Sequence, residues 1–410
     1  MMSKTAGCTV VALVCGSLMH GCDGGGGPLP GIVPTDETAY IGSAACGSCH
    51  ASVAATFSRH GHSQAPRAVL DGSPQYPADA PGVPAPPAGF DWTDISYVID
   101  AYRHAARFVG LDGFVLTDGT AGTNTQYNLA IAETAQTAGF VPYLPAQATP
   151  LPFSFDDFRR RTTGPQTLAD NGNRHQENRP GIEGTWAEAG VQCEACHGPG
   201  SMHVPNPPAG NISLDADSTS CARCHSNPDD PNVIAAADGL IVGLQQATEL
   251  TASPHRGFAC TICHDPHVST WADRATAIRN ECQACHPERN MALHQGFVYR
   301  RGDYVEPVTC VSCHMPFAVG TLAVNDQVLA NGRTARFGDT RSHIFWIDPT
   351  DDGAARMFSG DGTQVVRDDQ GRSAVSSCFV CQRCHNGFGN AFAFPPGEGC
   401  AFGSGIHAPQ

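Results

Sequence analysis

Cys193-Glu-Ala-Cys196-His197, Cys221-Ala-Arg-Cys224-His225, Cys260-Thr-Ile-Cys263-His264, Cys282-Gln-Ala-Cys285-His286 and Cys310-Val-Ser-Cys313-His314 crowd five copies of Cys-x-x-Cys-His into the stretch from 193 to 314. Two more copies stand outside it, at Cys46-Gly-Ser-Cys49-His50 and Cys381-Gln-Arg-Cys384-His385. On a short helix, residues three and four apart share one face. The two thiols of each copy therefore point the same way, and the His beside the second thiol points with them.

That geometry suits one ligand class. Thiols at i and i+3 reach the two vinyl groups on one edge of a porphyrin, and the His at i+4 lies under the ring as an iron ligand, the attachment pattern of c-type haem. Zinc ribbons also use Cys-x-x-Cys pairs, but zinc has no need of a His directly after the second Cys. His supplies only 18 of 410 residues, so seven such placements are not chance. One more pair, Cys378-x-x-Cys381, lacks the His and overlaps a copy that has it. The expected cofactor is haem c, seven per chain. Its thioether anchors are the fourteen motif cysteines. Its proximal ligands are His50, His197, His225, His264, His286, His314 and His385.

Seven haems leave little polypeptide for each. Within 193–314 there are about 24 residues per motif, too few for an ordinary apolar core around each one. The haems must then form much of the interior. Gly 45 and Pro 31 mark a loop-rich chain, while 41% hydrophobic residues exclude disorder. The expected fold is a multihaem cytochrome c: mostly irregular chain and short α-helices wrapped around a row of stacked haems, with a small β-hairpin lobe.

The formal net charge of −15 argues against a nucleic-acid partner and suits a basic redox protein or cationic metal species. Residues 1–21 hold one Lys and then the apolar run Thr9-Val-Val-Ala-Leu-Val14, the pattern of a secretory signal. Leu18-Met-His-Gly-Cys22 and the Gly-rich residues after it read as a bacterial lipoprotein signal, with ordinary cleavage nearby as the alternative. Membrane contact is expected only through a lipid at Cys22. The expected organisation is a signal peptide over 1–21, a tether over 22–40, the first haem and a β-containing lobe over 41–192, a five-haem core over 193–314, and a hairpin segment with the last haem over 315–410. Ile95–Ile99 reads as a strand. Ala106–Val109 and Gly113–Leu116, split by a Leu-Asp-Gly turn, read as a hairpin, and Met357–Val366 as a second one. Cys378 and Cys400 remain beyond the motifs and the leader as a candidate disulfide.

Each iron needs a sixth ligand unless it is catalytic, and the options are mainly His and Met. Ten His remain beyond the motifs and the leader: His60, His62, His104, His175, His203, His255, His267, His294, His343 and His407. Ten candidates for seven places favour bis-His ligation throughout, with mostly low reduction potentials. His203, His255 and His267 lie close to motifs and lead the choice, followed by His62, His294 and His343. His60, His104, His175 and His407 compete for the seventh place, and His175 is chosen.

Longer phrases carry a family resemblance. Cys193-Glu-Ala-Cys-His-Gly-Pro-Gly-Ser-Met-His203, Cys310-Val-Ser-Cys-His-Met-Pro316, Gly338-Asp-Thr-Arg-Ser-His-Ile-Phe345 and Gly184-Thr-Trp-Ala-Glu-Ala-Gly-Val191 resemble multihaem c-type cytochromes of bacteria that respire metals or transform nitrogen compounds. The resemblance implies distal roles for His203 and His343. Relatives often carry a further motif ending in His-Thr-Thr-Gly where this chain reads Phe155-Asp-Asp-Phe-Arg-Arg-Arg-Thr-Thr-Gly164, which implies a lost haem.

The expected function is electron transfer across the envelope, in the periplasm or at the cell surface, to redox proteins or extracellular metal acceptors. Assembly into a homopolymeric cytochrome filament is a variant of that reading. An oxidoreductase acting on a nitrogen or sulfur oxyanion is the alternative. All seven motifs end in His, with no Lys marking an open iron, so the chain is expected not to be an enzyme.

Overall fold

A computed structural model describes residues 38–209, 211–214, 217–289, 294–332, 334–349, 356–388, 391–393 and 407. The expected signal peptide, Cys22, Cys400 and the side chain of Cys378 lie outside the described residues.

Short elements dominate, as the Gly and Pro content implies. The longest described helices, Ala51–Phe57 and Thr219–His225, have seven residues each. Among the described residues no helix is long and apolar enough to cross a membrane.

The largest sheet lies between the first motif and the second. Its strands are β1 (Arg67–Ala68), β2 (Ile95–Asp100), β3 (Ala105–Gly110), β4 (Phe114–Val115), β5 (Gln126–Asn128), β6 (Gly139–Val141) and β7 (Leu151–Pro152). The main order is β1-β2-β3-β4-β7, with β5 joining β3 to β6. All pairs are antiparallel. The expected hairpin is therefore the β3–β4 part of a seven-stranded sheet, not a lobe by itself. Gly113 turns β3 into β4 at φ +89, where an added Cβ would meet Arg179 and Ile182 at 2.9 Å. Only glycine fits that turn.

Both faces of β2 are covered. Tyr97 and Ile99 pack with Val109, Phe153, Phe158 and Trp186 on one face, and Val98 packs with Phe108 on the other. Strict alternation would put Ile95 with Tyr97. A register shift between Ile95 and Tyr97 reverses its face, so Ile95 joins Val98. The segment 155–164 takes part in this core: Phe158 is fully buried, 5.1 Å from Trp186 between ring centres, and Thr162–Thr163 pairs with Glu188–Ala189. Aromatic packing stands where the resemblance implied a lost motif.

A second apolar cluster joins Ile234, Ala236, Ile241 and Ala252 to Val319, Ile344, Val375 and Val380. The five-motif stretch and the segment after it thus share one core. The expected hairpin at 357–366 is present as a short one, closed by the antiparallel bridge Phe358–Val365 and by the backbone bonds Ser359 N–H to Gln364 and Val366 N–H to Met357. By contrast, the motif helices Thr219–His225, Cys260–Cys263, Cys282–Cys285 and Cys310–His314 bury no residue of their own.

Candidate haem sites

Those motif helices face a cavity. It has a volume of about 2030 Å³ and is lined by thiols and imidazoles of the first six motifs. A single small-molecule pocket is typically several hundred Å³, so this is room for more than one ligand.

Histidines meet across it in pairs, one from a motif and one from elsewhere. Ring centres lie 6.4 Å apart for His50–His203, 6.1 Å for His197–His267, 5.9 Å for His225–His62, 6.2 Å for His264–His343, 6.1 Å for His286–His255 and 5.8 Å for His314–His407. The seventh pair, His385–His294, stands at 6.3 Å outside the cavity. A metal–imidazole bond is about 2 Å. Two imidazoles on opposite sides of one metal therefore have ring centres roughly 6 Å apart, the spacing seen in all seven pairs.

Tautomers and charge agree with that role. Nδ1 of His197 meets the Ser213 carbonyl at 2.6 Å, that of His225 the Gln246 side-chain oxygen at 2.8 Å, that of His314 the Phe345 carbonyl at 2.8 Å and that of His385 the Phe392 carbonyl at 3.3 Å. An Nδ1–H donating to oxygen leaves the Nε2 lone pair for a metal. Burial pushes His62, His225, His264 and His314 down, and His343 down to about 3, so these rings are neutral. Neutral imidazole is the metal-binding form. None of the fourteen motif cysteines is joined to another in a disulfide. Among the described residues no group of three or more His, Cys, Asp or Glu is gathered as a metal site needs. Paired thiols beside opposed imidazoles fit a porphyrin iron and not zinc.

Neighbouring motifs lie within electrostatic reach of one another in sequence order. Cys46 is pushed up to about 11 by burial and by Cys193 beside it. His60 lies between the second and third pairs, held down to about 4 by burial, His267 and His225. His225 also adds to the lowering of His343, linking the third pair to the fourth. Cys285 raises Cys263, Cys310 raises Cys282 and Cys384 raises Cys313, each second to burial. Each motif thus lies near the next one in chain order.

Six of the seven distal candidates chosen from the sequence lie opposite a motif histidine. His175 does not. Its Nδ1 bonds the Ile182 carbonyl at 2.7 Å, which ties the ring to the β-lobe. His407 takes the seventh place, opposite His314. It comes from 93 residues away, and no local pattern points to it. His60 stacks on His62 at 4.5 Å, and Nδ1 of His104 lies 3.6 Å from buried Asp339.

The motifs, the paired histidines and the fold are those of multihaem c-type cytochromes. Proteins of this class transfer electrons. No family model matches the chain. The dissimilatory sulfite reductase MccA of Wolinella succinogenes is 26% identical over 247 residues, covering 47% of this chain and 33% of the relative. The matched stretch thus spans about a third of that relative's length. The solved structure of the W. succinogenes octahaem sulfite reductase MccA superposes with a TM-score of 0.52 at 18% identity, covering 85% of this chain and 65% of that one. The outer cell wall cytochrome OcwA gives 0.48 at 17% identity over 88% of this chain and 86% of its own.

These comparisons correct one expectation. The chain was expected not to be an enzyme because all its motifs end in His. The relative matched in sequence and fold is a reductase, so that expectation does not stand. The physical reason is that a proximal His occupies only one side of an iron. Whether a substrate binds is decided on the other side, about which the motif is silent.

Proposed function

We propose that the chain relays electrons along seven haems, one at each Cys-x-x-Cys-His, each iron held between the two histidines of a pair. The observation that carries this reading is the set of seven opposed His pairs, all at 5.8 to 6.4 Å. Haem supplies the one-electron redox couple. The chain's residues do the rest. Thioether anchors fix each ring edge, neutral imidazoles bind from both sides, and carbonyls at Nδ1 set the tautomers. His ligands on both sides, with no Met, favour low potentials.

The sequence of neighbours, first motif to seventh, makes a linear relay. The first six sites share one cavity and the seventh stands outside it, a natural terminus for a partner. Partners are proposed to be envelope redox proteins or extracellular metal acceptors, with export by the N-terminal signal and a lipid at Cys22 as a route to the membrane. Assembly into filaments remains part of this proposal. The direct test is haem quantification with low-temperature EPR on the oxidised protein. Seven haems, all low-spin, are expected; a smaller count or a stoichiometric high-spin signal overturns the reading.

One observation favours a second reading, in which the relay ends in reduction of a sulfur or nitrogen oxyanion: the sequence match to a dissimilatory sulfite reductase. Reoxidation of the fully reduced protein by sulfite or nitrite, followed in the visible spectrum, tests it.

A further inference from the structure

We propose that the iron between His314 and His407 is where this chain admits an external ligand, a small anion or neutral molecule with a donor lone pair, in exchange for His407. The inference rests on the reading of each His pair as the two axial ligands of one haem.

The two sides of this pair are unlike. His314 is firmly held. Its Nδ1 meets the Phe345 carbonyl at 2.8 Å, and the Phe345 ring packs edge-on against His255 at 4.7 Å. Its partner is exposed. The other six distal histidines, His62, His203, His255, His267, His294 and His343, are each at least partly buried; His407 alone of the seven is exposed.

Exposure decides which ligand can leave. Releasing a buried imidazole such as His343 opens a void in the wall and moves a polar ring among groups that cannot solvate it. Releasing an exposed imidazole returns its ring nitrogens to water at no such cost. The bond that an incoming ligand must replace is thus opposed least at His407. The geometry is consistent: the rings are 10° from parallel, and their Nε2 atoms are 3.5 Å apart. His407 also lines the large cavity, so a molecule that displaces it from the solvent side arrives at the sixth position.

The position in the relay gives the site a use. Its neighbours on either side are the fifth and seventh sites, through Cys282–Cys310 and Cys313–Cys384. A ligand bound here can draw electrons from both.

The test is cyanide titration of the fully oxidised holoprotein, read by EPR and visible spectra, on the wild-type chain and on His407→Ala. The wild-type protein is expected to take up one cyanide per chain, with one low-spin signal replaced. His407→Ala is expected to show one high-spin iron before cyanide is added and to take up one equivalent, faster than wild type. A wild-type protein that is all low-spin and takes up no cyanide overturns the exchange while the bis-His reading stands. Two equivalents bound by His407→Ala place the wild-type site at another iron and overturn it as well. A high-spin iron in untreated wild type overturns the bis-His reading, and the exchange with it.

Discussion

Glu249 accepts the backbone N–H of His343 at 2.7 Å, and the same carboxylate oxygen accepts the Ser342 hydroxyl at 2.8 Å. Glu249 lies on the helix Gln246–Thr251, one turn after Gln246, whose side-chain oxygen meets Nδ1 of His225. Residues three apart share a helix face. One turn of helix therefore orients histidines of two neighbouring pairs.

Glu249→Ala leaves the His343 N–H and the Ser342 hydroxyl without their acceptor. Each buried unsatisfied donor costs about 1–3 kcal/mol, so a clear fall in melting temperature is expected. The low-spin EPR signal of the haem at His264–His343 should broaden as His343 loses its fixed position. Glu249→Gln keeps an acceptor oxygen and should lose less of both.

Glu306 gives stability a pH dependence. Burial alone would raise its carboxyl, but Arg383, Arg341 and the Tyr304 hydroxyl together hold it down to about 2 from an ordinary 4.5. A depressed carboxyl adds stability that is fully present above the unfolded value and disappears as pH falls through the folded one. Acid unfolding should therefore steepen between about 4.5 and 2, and Glu306→Gln should flatten that limb. At neutral pH the same variant strands Arg383, whose side chain is 7% exposed. Breaking a buried pair costs roughly 3–5 kcal/mol. Urea unfolding at two pH values measures both effects.

His62→Ala should convert one low-spin iron to high-spin, because it removes the ring opposite His225. His175→Ala should leave every haem signal as it was and lower stability only, since its ring bonds the Ile182 carbonyl. If His175→Ala creates a high-spin iron, the assignment of His407 to the seventh place fails.

The fourth motif sits mid-path, next to His225 on one side and Cys285 on the other. Replacing Cys260 and Cys263 with Ala should lower the haem count by one. It should also make stopped-flow reduction biphasic, with one set of haems reduced well after the other. A single fast phase would mean that the path does not run through this site.

Motif spacing made the attachment residues legible, because a thioether pair and its His are local on one helix turn. The distal side was legible only as a supply of histidines. His203 lies 153 residues from His50 in the chain yet faces it across 6.4 Å, and nothing local encodes such a pairing. His175 was chosen over His407 for that reason, as their local sequences do not separate them. In the β-lobe, the runs Ile95–Ile99 and Ala106–Val109 announced their strands through β-branched and aromatic residues. The shift that turns Ile95 to the opposite face was not visible, because it depends on pairing with Gly110 and not on residue type. The bias against catalysis came from counting seven proximal His and enough distal ones as seven closed irons.

Four of the motif helices bury nothing of their own, and six His pairs open on one shared cavity. On the seven-haem reading, cofactor fills the space that side chains fill in other proteins. On that reading the interior is complete only once haem is delivered, and each finished copy commits seven iron atoms. The abundance of this protein should follow the iron nutrition of its host more closely than the level of its messenger RNA.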